Sequence, residues 1–378
     1  MVRAAPYGQA VAFSLVLAAL AAPLHAQGYP TSGDSIGETA RSRTAETVRR
    51  FRALAPGLVQ SAAIKPGDLV SISGGPTLVP EMEALGEEVQ KAGGYPLLVL
   101  DSPRLTRQFY TEFSEQYLEK IPTGWDTFQG EQVDVAFVLP AGEDFATIRR
   151  TDPERRARVD QALSRSDAAT LAQRNKGKTR TLIVSIPTPS DTASIHMDYR
   201  QYEAMSWSAI EADYQEMAAK GQQIKRVLEG AKRLRITSPE GTDFTVDLGK
   251  RPVVVRAGIA PPGTKGTIAA RTSSLPGGSV RFAPVETSAN GKIRAAEDQC
   301  EQPIRDESID VRKGMPENVR AGSDEQCLQR SMKDAGRFGS IIIGLNPAIQ
   351  FTNVPSYSPQ LENAAGMVSI AFGGNGGL

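Results

Sequence analysis

The sequence is poor in cysteine and histidine, and this scarcity limits the chemistry that it can support. Its 378 residues include 2 Cys and 2 His. So few cysteines exclude a disulfide-dense miniprotein and a cysteine-rich zinc module. The 43 basic residues balance the 43 acidic ones, so no general attraction to nucleic acid or anionic membranes is expected. The remaining composition, 40% hydrophobic and 23% charged, is typical of a globular protein with one large or two medium domains.

The first residues have the layout of a secretory signal peptide. Arg3 supplies a positive start, residues 11–22 form an apolar run, and Ala26 ends a cleavage site. A transmembrane anchor is the alternative, but the run is short for a membrane span. We therefore predict that residues 1–26 are removed on export to the periplasm or the medium. No membrane attachment is expected afterwards.

Export determines how the two cysteines are interpreted. In an oxidising compartment Cys300 and Cys327 are most simply a disulfide that closes a loop. The rival interpretation is a reactive thiol, which needs a base such as histidine. His25 leaves with the signal peptide, so His196 would be the only candidate. The prediction is a Cys300–Cys327 disulfide.

The mature chain divides near residue 232. Residues 27–44 are polar and form a predicted flexible lead-in. Residues 45–231 alternate apolar strands with amphipathic helices, which predicts an α/β domain with a mainly parallel sheet and helices on both faces. The predicted strands are Asp68–Ser73, Pro96–Asp101, Val133–Leu139 and Arg180–Ile186, and the predicted helices are Glu38–Ser61, Leu78–Ala92, Thr106–Lys120, Pro153–Gln173 and Tyr202–Gly230. Residues 232–378 carry short strands with Gly and Pro turns, which predicts a β-rich (α+β) domain.

General catalytic motifs do not identify a site. The sequence has neither a phosphate-binding Gly-x-x-x-x-Gly-Lys loop nor a Gly-x-Ser-x-Gly nucleophile elbow. The triplet His196-Met197-Asp198 has the composition of a metal or acid–base pair. A histidine in a loop that precedes the long helix is the interpretation we prefer, and no catalytic residue is assigned from the triplet.

A series of short motifs in a fixed order is the most informative feature. The motifs are Lys65-Pro66-Gly67-Asp68-Leu69-Val70, Ala92-Gly93-Gly94-Tyr95-Pro96, Asp213-Tyr214 with Met217 and Gly221, Arg235 to Asp243 (RITSPEGTD), Gly249-Lys250-Arg251, Leu275-Pro276-Gly277-Gly278, Ala283 to Gly291 (APVETSANG), Gly344-Leu345-Asn346-Pro347-Ala348 and Glu362-Asn363-Ala364-Ala365-Gly366. Each is short, and the specificity lies in their order and spacing. From about residue 45 to the C-terminus the series resembles the aminopeptidase T and aminopeptidase S family of metal-dependent exopeptidases.

The resemblance implies a fold, an activity and a cofactor. In that family two divalent ions, such as zinc, cobalt or manganese, activate a water that attacks the N-terminal peptide bond. Paired ions suit this reaction because they polarise the carbonyl and generate hydroxide near neutral pH. The ligands are carboxylates and imidazoles, and the family members are expected to pair as homodimers.

The positions that should hold the metal ligands have changed. The family's first glutamate lies in a Gly-Glu-Val-Phe type stretch, which here reads Gly278-Ser279-Val280-Arg281. Ser340 stands for the second glutamate, and Ser369 for the histidine that opens a His-Ile-Ala-x-Gly stretch. The family's tyrosine would fall at Gly376, and its final His-x-Asp lies beyond Leu378.

Three hypotheses follow. The first, which we favour, is an exported homologue with a degenerate site and no bound cofactor, which binds peptides or a partner without cleaving them. Neutral hydroxyls at Ser279, Ser340 and Ser369 are poor ligands for a divalent cation. The second is an active aminopeptidase with relocated ligands. The acids near the motifs that could form an oxygen-only site are Glu286, Glu297, Asp298 and Glu362, although surface charge explains them as well. The third is a structural or assembly role.

Overall fold

The computed structural model describes residues 2–4, 45–122, 124–140, 151–188, 198–260, 263, 266–299, 303–349 and 361–374. Its strands are β1 (Val2–Ala4), β2 (Leu69–Gly74), β3 (Tyr95–Leu100), β4 (Val135–Leu139), β5 (Arg180–Val184), β6 (Arg233–Thr237), β7 (Asp243–Asp247), β8 (Val253–Arg256), β9 (Thr272–Leu275), β10 (Ser279–Phe282), β11 (Asn290–Gln299), β12 (Pro303–Arg312), β13 (Met315–Arg320), β14 (Phe338–Gly344) and β15 (Val368–Phe372). Its α-helices are α1 (Ala45–Ser61), α2 (Val79–Lys91), α3 (Pro103–Thr111), α4 (Gly124–Gln132), α5 (Pro153–Lys176), α6 (Tyr199–Ile210), α7 (Tyr214–Gly230) and α8 (Glu325–Ala335).

A five-stranded parallel sheet organises the first half of the chain, in the order β3-β2-β4-β5-β9. Its inner strands are almost continuously buried, as expected for parallel strands that are covered on both faces. Val70, Ile72 and Phe137 are fully buried in the hydrophobic core of this sheet. The prediction of an α/β fold with a parallel sheet followed by a β-rich region is therefore confirmed. The last strand, β9, lies beyond residue 232 and yet pairs in parallel with β5.

Two further sheets form the β-rich region. The mixed sheet has the order β1-β15-β14-β10-β8, with antiparallel neighbours except for the parallel pair of β1 and β15. The antiparallel sheet has the order β13-β12-β11-β7-β6. They share one hydrophobic core with α7 and α8. Within it the ring of Phe338 contacts Phe244 at 5.4 Å and Phe372 at 6.3 Å between centroids.

Two of the predicted helices are interrupted. The predicted helix Thr106–Lys120 is α3, ending at Thr111, followed by a separate 3-10 turn, Glu115–Lys120. The predicted helix Tyr202–Gly230 is α6 and α7, because the Asp213 side chain accepts the backbone N–H of Glu216 at 2.9 Å and starts a new helix. The sequence pattern did not predict α4 or α8 as helices.

Tyr214 lies at the junction of the two cores and packs against both. Its hydroxyl donates to the carbonyl oxygen of Ala209 at 2.6 Å, across the break between α6 and α7. Burial raises the pKa of the phenol above its ordinary value, so the hydroxyl remains a donor.

Two sequence predictions fall mostly outside the described residues. Residues 5–44 contain most of the predicted signal peptide and the whole predicted lead-in. Cleavage after Ala26 would remove β1, whose residues pair with Ile370, Ala371 and Phe372, and would expose that edge of β15. Among the described helices none is long and apolar enough to cross a membrane.

Candidate functional site

The candidate site lies on one face of the mixed sheet, which we call the serine–arginine face. Alternation along β10 turns Val280 and Phe282 into the core and places Ser279 and Arg281 on the opposite face. Residues that pair across neighbouring strands share a face. The face is defined by Arg256 on β8, Ser279 and Arg281 on β10, Ser340 on β14 and Ser369 on β15.

The strand register fixes this grouping. Ser279 is paired with Arg256, and Arg281 is paired with Ile342. Ile342 is in turn paired with Ser369, while Ser340 lies two residues before it on the same face. The three serines predicted from the motifs are therefore brought together on adjacent strands. Ser279 and Ser369 are buried, at 0% and 1% exposure, and Ser340 is partly exposed.

Arg281 crosses the face beside Ser279. Its Nε donates to Ser279 Oγ at 3.2 Å, and its Nη2 donates to Glu362 Oε1 in an ion pair. The side chains of Arg281 and Glu362 are only 16% and 17% exposed. A guanidinium thus lies against the position where the family resemblance expects a metal-ligating carboxylate.

Arg256 adds a second guanidinium to the face. Its Nε is buried and has no hydrogen-bond partner in the described part of the chain. Burial and, to a smaller extent, the nearby charge of Arg281 lower the pKa of Arg256 to about 9, while Glu362 opposes this shift. The group remains charged at neutral pH. Arg256, Arg281 and Glu362 together carry one net positive charge.

The turn that leads into β10 requires a glycine. Gly278 has φ +112°, and a Cβ there would lie 2.6 Å from the sulfur of Met217 on α7. Close packing of α7 on this turn therefore sets the position of Ser279. Beyond the turn, buried Asn346 donates to the carbonyl oxygens of Ala209 and Gly277, at 3.0 and 2.9 Å.

The acids proposed for an oxygen-only site do not gather there. Glu286 forms a two-bond ion pair with Arg251, at 2.5 and 2.8 Å. Glu362 is paired with Arg281. Glu297 and Asp298 lie on β11, and their side chains are outside the described part of the structure. In the described residues no group of three or more His, Cys, Asp or Glu side chains could hold a metal ion.

The other predicted residues are only partly described. Cys327 lies in the first turn of α8, is 5% exposed and is not a free thiol. Cys300, His196 and Gly376 fall outside the described residues. The Cys300–Cys327 pairing and any role of His196 therefore stay predictions.

The donors on the serine–arginine face do not fit a pair of divalent cations. Such ions require carboxylates or imidazoles, and this face presents neutral hydroxyls and two guanidinium groups. A cation placed among Ser279, Ser340 and Ser369 would be repelled by Arg281 and Arg256. No hydrolytic step can be derived through a metal ion held by these side chains.

Motif comparison alone did not single out the two arginines. Arg281 was visible in the Gly278–Arg281 stretch as a change from an aromatic residue, and Arg256 ended a predicted strand. Only the register, which sets Arg256 opposite Ser279, reveals that both belong to one face. A positive residue two places after a lost ligand would have been the available signal.

The parallel sheet, the mixed sheet and the motif-bearing loops form an α/β scaffold. The family model described as thermophilic metalloprotease (M29) matches residues 48–373, and the chain belongs to this metal-dependent family. The structure is similar to wild-type AmpT from Thermus thermophilus, with a TM-score of 0.66, 18% identity and 85% of each chain covered. That identity supports the fold alone.

A weaker likeness is to 2,5-dihydroxypyridine dioxygenase from Pseudomonas putida KT2440. Its TM-score is 0.48, with 16% identity over 81% of this chain and 79% of that one. Among curated proteins no match was found.

Proposed function

We propose that this chain is an exported M29 homologue with an aminopeptidase-like scaffold, whose degenerate site binds peptides or a partner without cleaving them. One observation carries the proposal: the guanidinium of Arg281 is hydrogen-bonded to Ser279, where the family resemblance expects a ligating glutamate. The family reaction needs metal ions to polarise the carbonyl and activate water. Serine hydroxyls beside two arginines favour the binding of an anion over that of a metal cation.

Metal content and cleavage test this proposal together. The mature chain, from Gln27 onward, is expressed with added zinc, cobalt and manganese, dialysed and analysed for bound metal. We expect far less than one ion per chain and no cleavage of a leucine anilide. An active metallo-aminopeptidase carried through the same steps is the control. Stoichiometric metal, or cleavage that a chelator abolishes, would favour the second hypothesis of relocated ligands.

Export and the disulfide belong to the same proposal. The signal-like residues 1–26 support export, and the burial of Cys327 without a free thiol supports a bridge to Cys300. Thiol titration of the denatured, unreduced protein should find almost no free sulfhydryl. Two free thiols per chain would refute the bridge, and an N-terminus still at Met1 in the purified periplasmic fraction would refute cleavage.

The last part of the proposed function is the pairing of two copies of the chain as a homodimer. The edge strand β3 exposes Tyr95 at 66%, Leu98 at 44% and Leu100 at 57%. A strand edge of this kind is self-complementary about a twofold axis, and covering it removes unpaired backbone groups from water. We therefore expect a homodimer through β3. Sedimentation should give twice the chain mass, and Leu98→Lys should shift it toward the monomer.

A further inference from the structure

We propose that the serine–arginine face binds the carboxylate of a peptide-like ligand, with Arg256 as the group that receives it. The inference rests on the proposed non-catalytic role and names the part of the ligand that the site recognises. It starts from the side chain of Arg256, whose Nε is buried and has no hydrogen-bond partner within the described structure.

A buried guanidinium nitrogen without a hydrogen-bond partner is unusual. Buried charges are normally paired or hydrogen-bonded, because loss of hydration is not otherwise offset. The one described carboxylate near Arg256, that of Glu362, is already hydrogen-bonded to Arg281. The local excess of one positive charge is therefore available to an anion. Arg281 and Glu362 are partly exposed, so solvent reaches the edge of the face.

The neighbouring polar groups specify more than an inorganic anion. Ser369 Oγ is buried with no partner among the described residues, and it lies three strands from Arg256, or about 14 Å away by strand spacing. Asn363 Oδ1, beside Glu362, is also a buried acceptor without a donor. A ligand with both a carboxylate and an N–H group satisfies the unpaired donor and the unpaired acceptors together.

A guanidinium recognises a carboxylate through two parallel N–H···O bonds, whereas an ammonium group has no acceptor and a neutral amide offers one uncharged acceptor oxygen. A peptide with a free C-terminus carries the carboxylate at one end and N–H groups further along its chain, so it can extend from Arg256 toward Ser369. An amino acid carries the same carboxylate without the preceding peptide bond. These two sources share the proposed chemistry and are separated by the choice of probe.

Calorimetric titration of the metal-free mature chain tests the site, at constant ionic strength set with chloride. The probes are trialanine with a free C-terminus, trialanine amide, alanine and inorganic phosphate. We expect saturable binding of trialanine, weaker by roughly tenfold or more when the C-terminus is amidated. Alanine that binds as tightly as trialanine would identify a free amino acid as the source and still support the carboxylate site.

Two variants locate the binding. Arg256→Met should weaken trialanine binding by roughly tenfold or more, because the receiving guanidinium is lost. Glu362→Gln should strengthen it, because a competing carboxylate charge is removed. Arg235→Met is the matched control, since Arg235 lies on β6 in another sheet and is paired with Asp243. It should bind trialanine as the unchanged chain does. If Arg256→Met does not fold, Arg256→Lys and Glu362→Gln carry the test.

Three results would overturn the inference: equal binding of trialanine and its amide, unchanged binding by Arg256→Met, or binding of phosphate but not of trialanine. The proposed function fails differently, through bound metal or peptide cleavage. If the chain neither holds metal nor cleaves peptides, and also does not bind trialanine, the carboxylate site is refuted. The proposal of a degenerate site would still stand.

Discussion

Two arginines and two serines differ in hydrogen bonding between the parallel-sheet region and the serine–arginine face. Arg271, fully buried before β9, donates through Nη1 to Thr179 at 2.7 Å, through Nε to Gly266 at 3.3 Å, and through Nη2 to Arg174, in each case to a carbonyl oxygen. Arg256 has a buried Nε with no partner in the described structure. The two arginines thus differ, since fully buried Arg271 uses its donors to complete the fold and partly exposed Arg256 leaves a buried donor unused.

The serines repeat this contrast. Ser273 on β9 is 1% exposed, and its hydroxyl accepts the backbone N–H of Gly258 at 3.1 Å. Ser369 on β15 is equally buried and has no described partner. The parallel-sheet region also has buried atoms without a hydrogen-bond partner in the described structure, among them Trp207 Nε1 and Arg174 Nε, but these lie on separate helices. Because native proteins satisfy nearly all buried polar groups, those left over on one face mark a place where a ligand completes the set.

The largest expected effect is on stability, at Arg271. Arg271→Met removes a donor group from three backbone carbonyls in or near a buried region, and each unsatisfied carbonyl costs about 1–3 kcal/mol. We expect the free energy of unfolding to fall by about 3–5 kcal/mol in urea. Arg271→Lys is the control, because it keeps the charge and loses the planar set of donors. A loss below about 1 kcal/mol for Met would remove the distinction from Arg256.

At Arg256, by contrast, substitution is not expected to reduce the free energy of unfolding. Replacing an unpaired buried charge with an apolar side chain of similar length is commonly neutral or stabilising. Arg256→Met in buffer without carboxylates should therefore raise the free energy of unfolding by about 1 kcal/mol or leave it unchanged. Urea denaturation with an unchanged m value is the measurement. A clear loss of stability would mean that Arg256 has a structural partner, and the comparison with Arg271 would collapse.

How much of this could be predicted depends on whether the signal is local. The predicted strands Asp68–Ser73 and Val133–Leu139 were visible as short apolar runs between amphipathic helices, and that alternation is sufficient to predict a parallel sheet. The joining of β9 to β5 was not visible, because the pairing of Val184 with Leu275 spans about ninety residues and leaves no periodic pattern.

For the candidate site, too, the local motifs could be predicted from the sequence and the long-range strand pairing could not. The motif spacing located Ser279, Ser340 and Ser369, and the strand register then placed all three on one face. The charge of that face could not be predicted, because Arg256 ends a strand of valines and looks like an ordinary exposed terminus. Its opposition to Ser279 is a fact of register, and a shift by one residue would turn it to the other side.

The serine pair gives the most direct comparison. Ser273→Ala leaves the N–H of buried Gly258 without its acceptor, so the free energy of unfolding should fall by about 1–2 kcal/mol. Ser369→Ala removes a hydroxyl that has no described partner, so stability should stay unchanged or rise by up to about 1 kcal/mol. The same atom is deleted at equal burial in both variants, so the difference between their urea midpoints reports the hydrogen bond alone. Equal losses would mean that the hydroxyl of Ser369 is satisfied in solution, and the serine–arginine face would then have one fewer group for a ligand to complete.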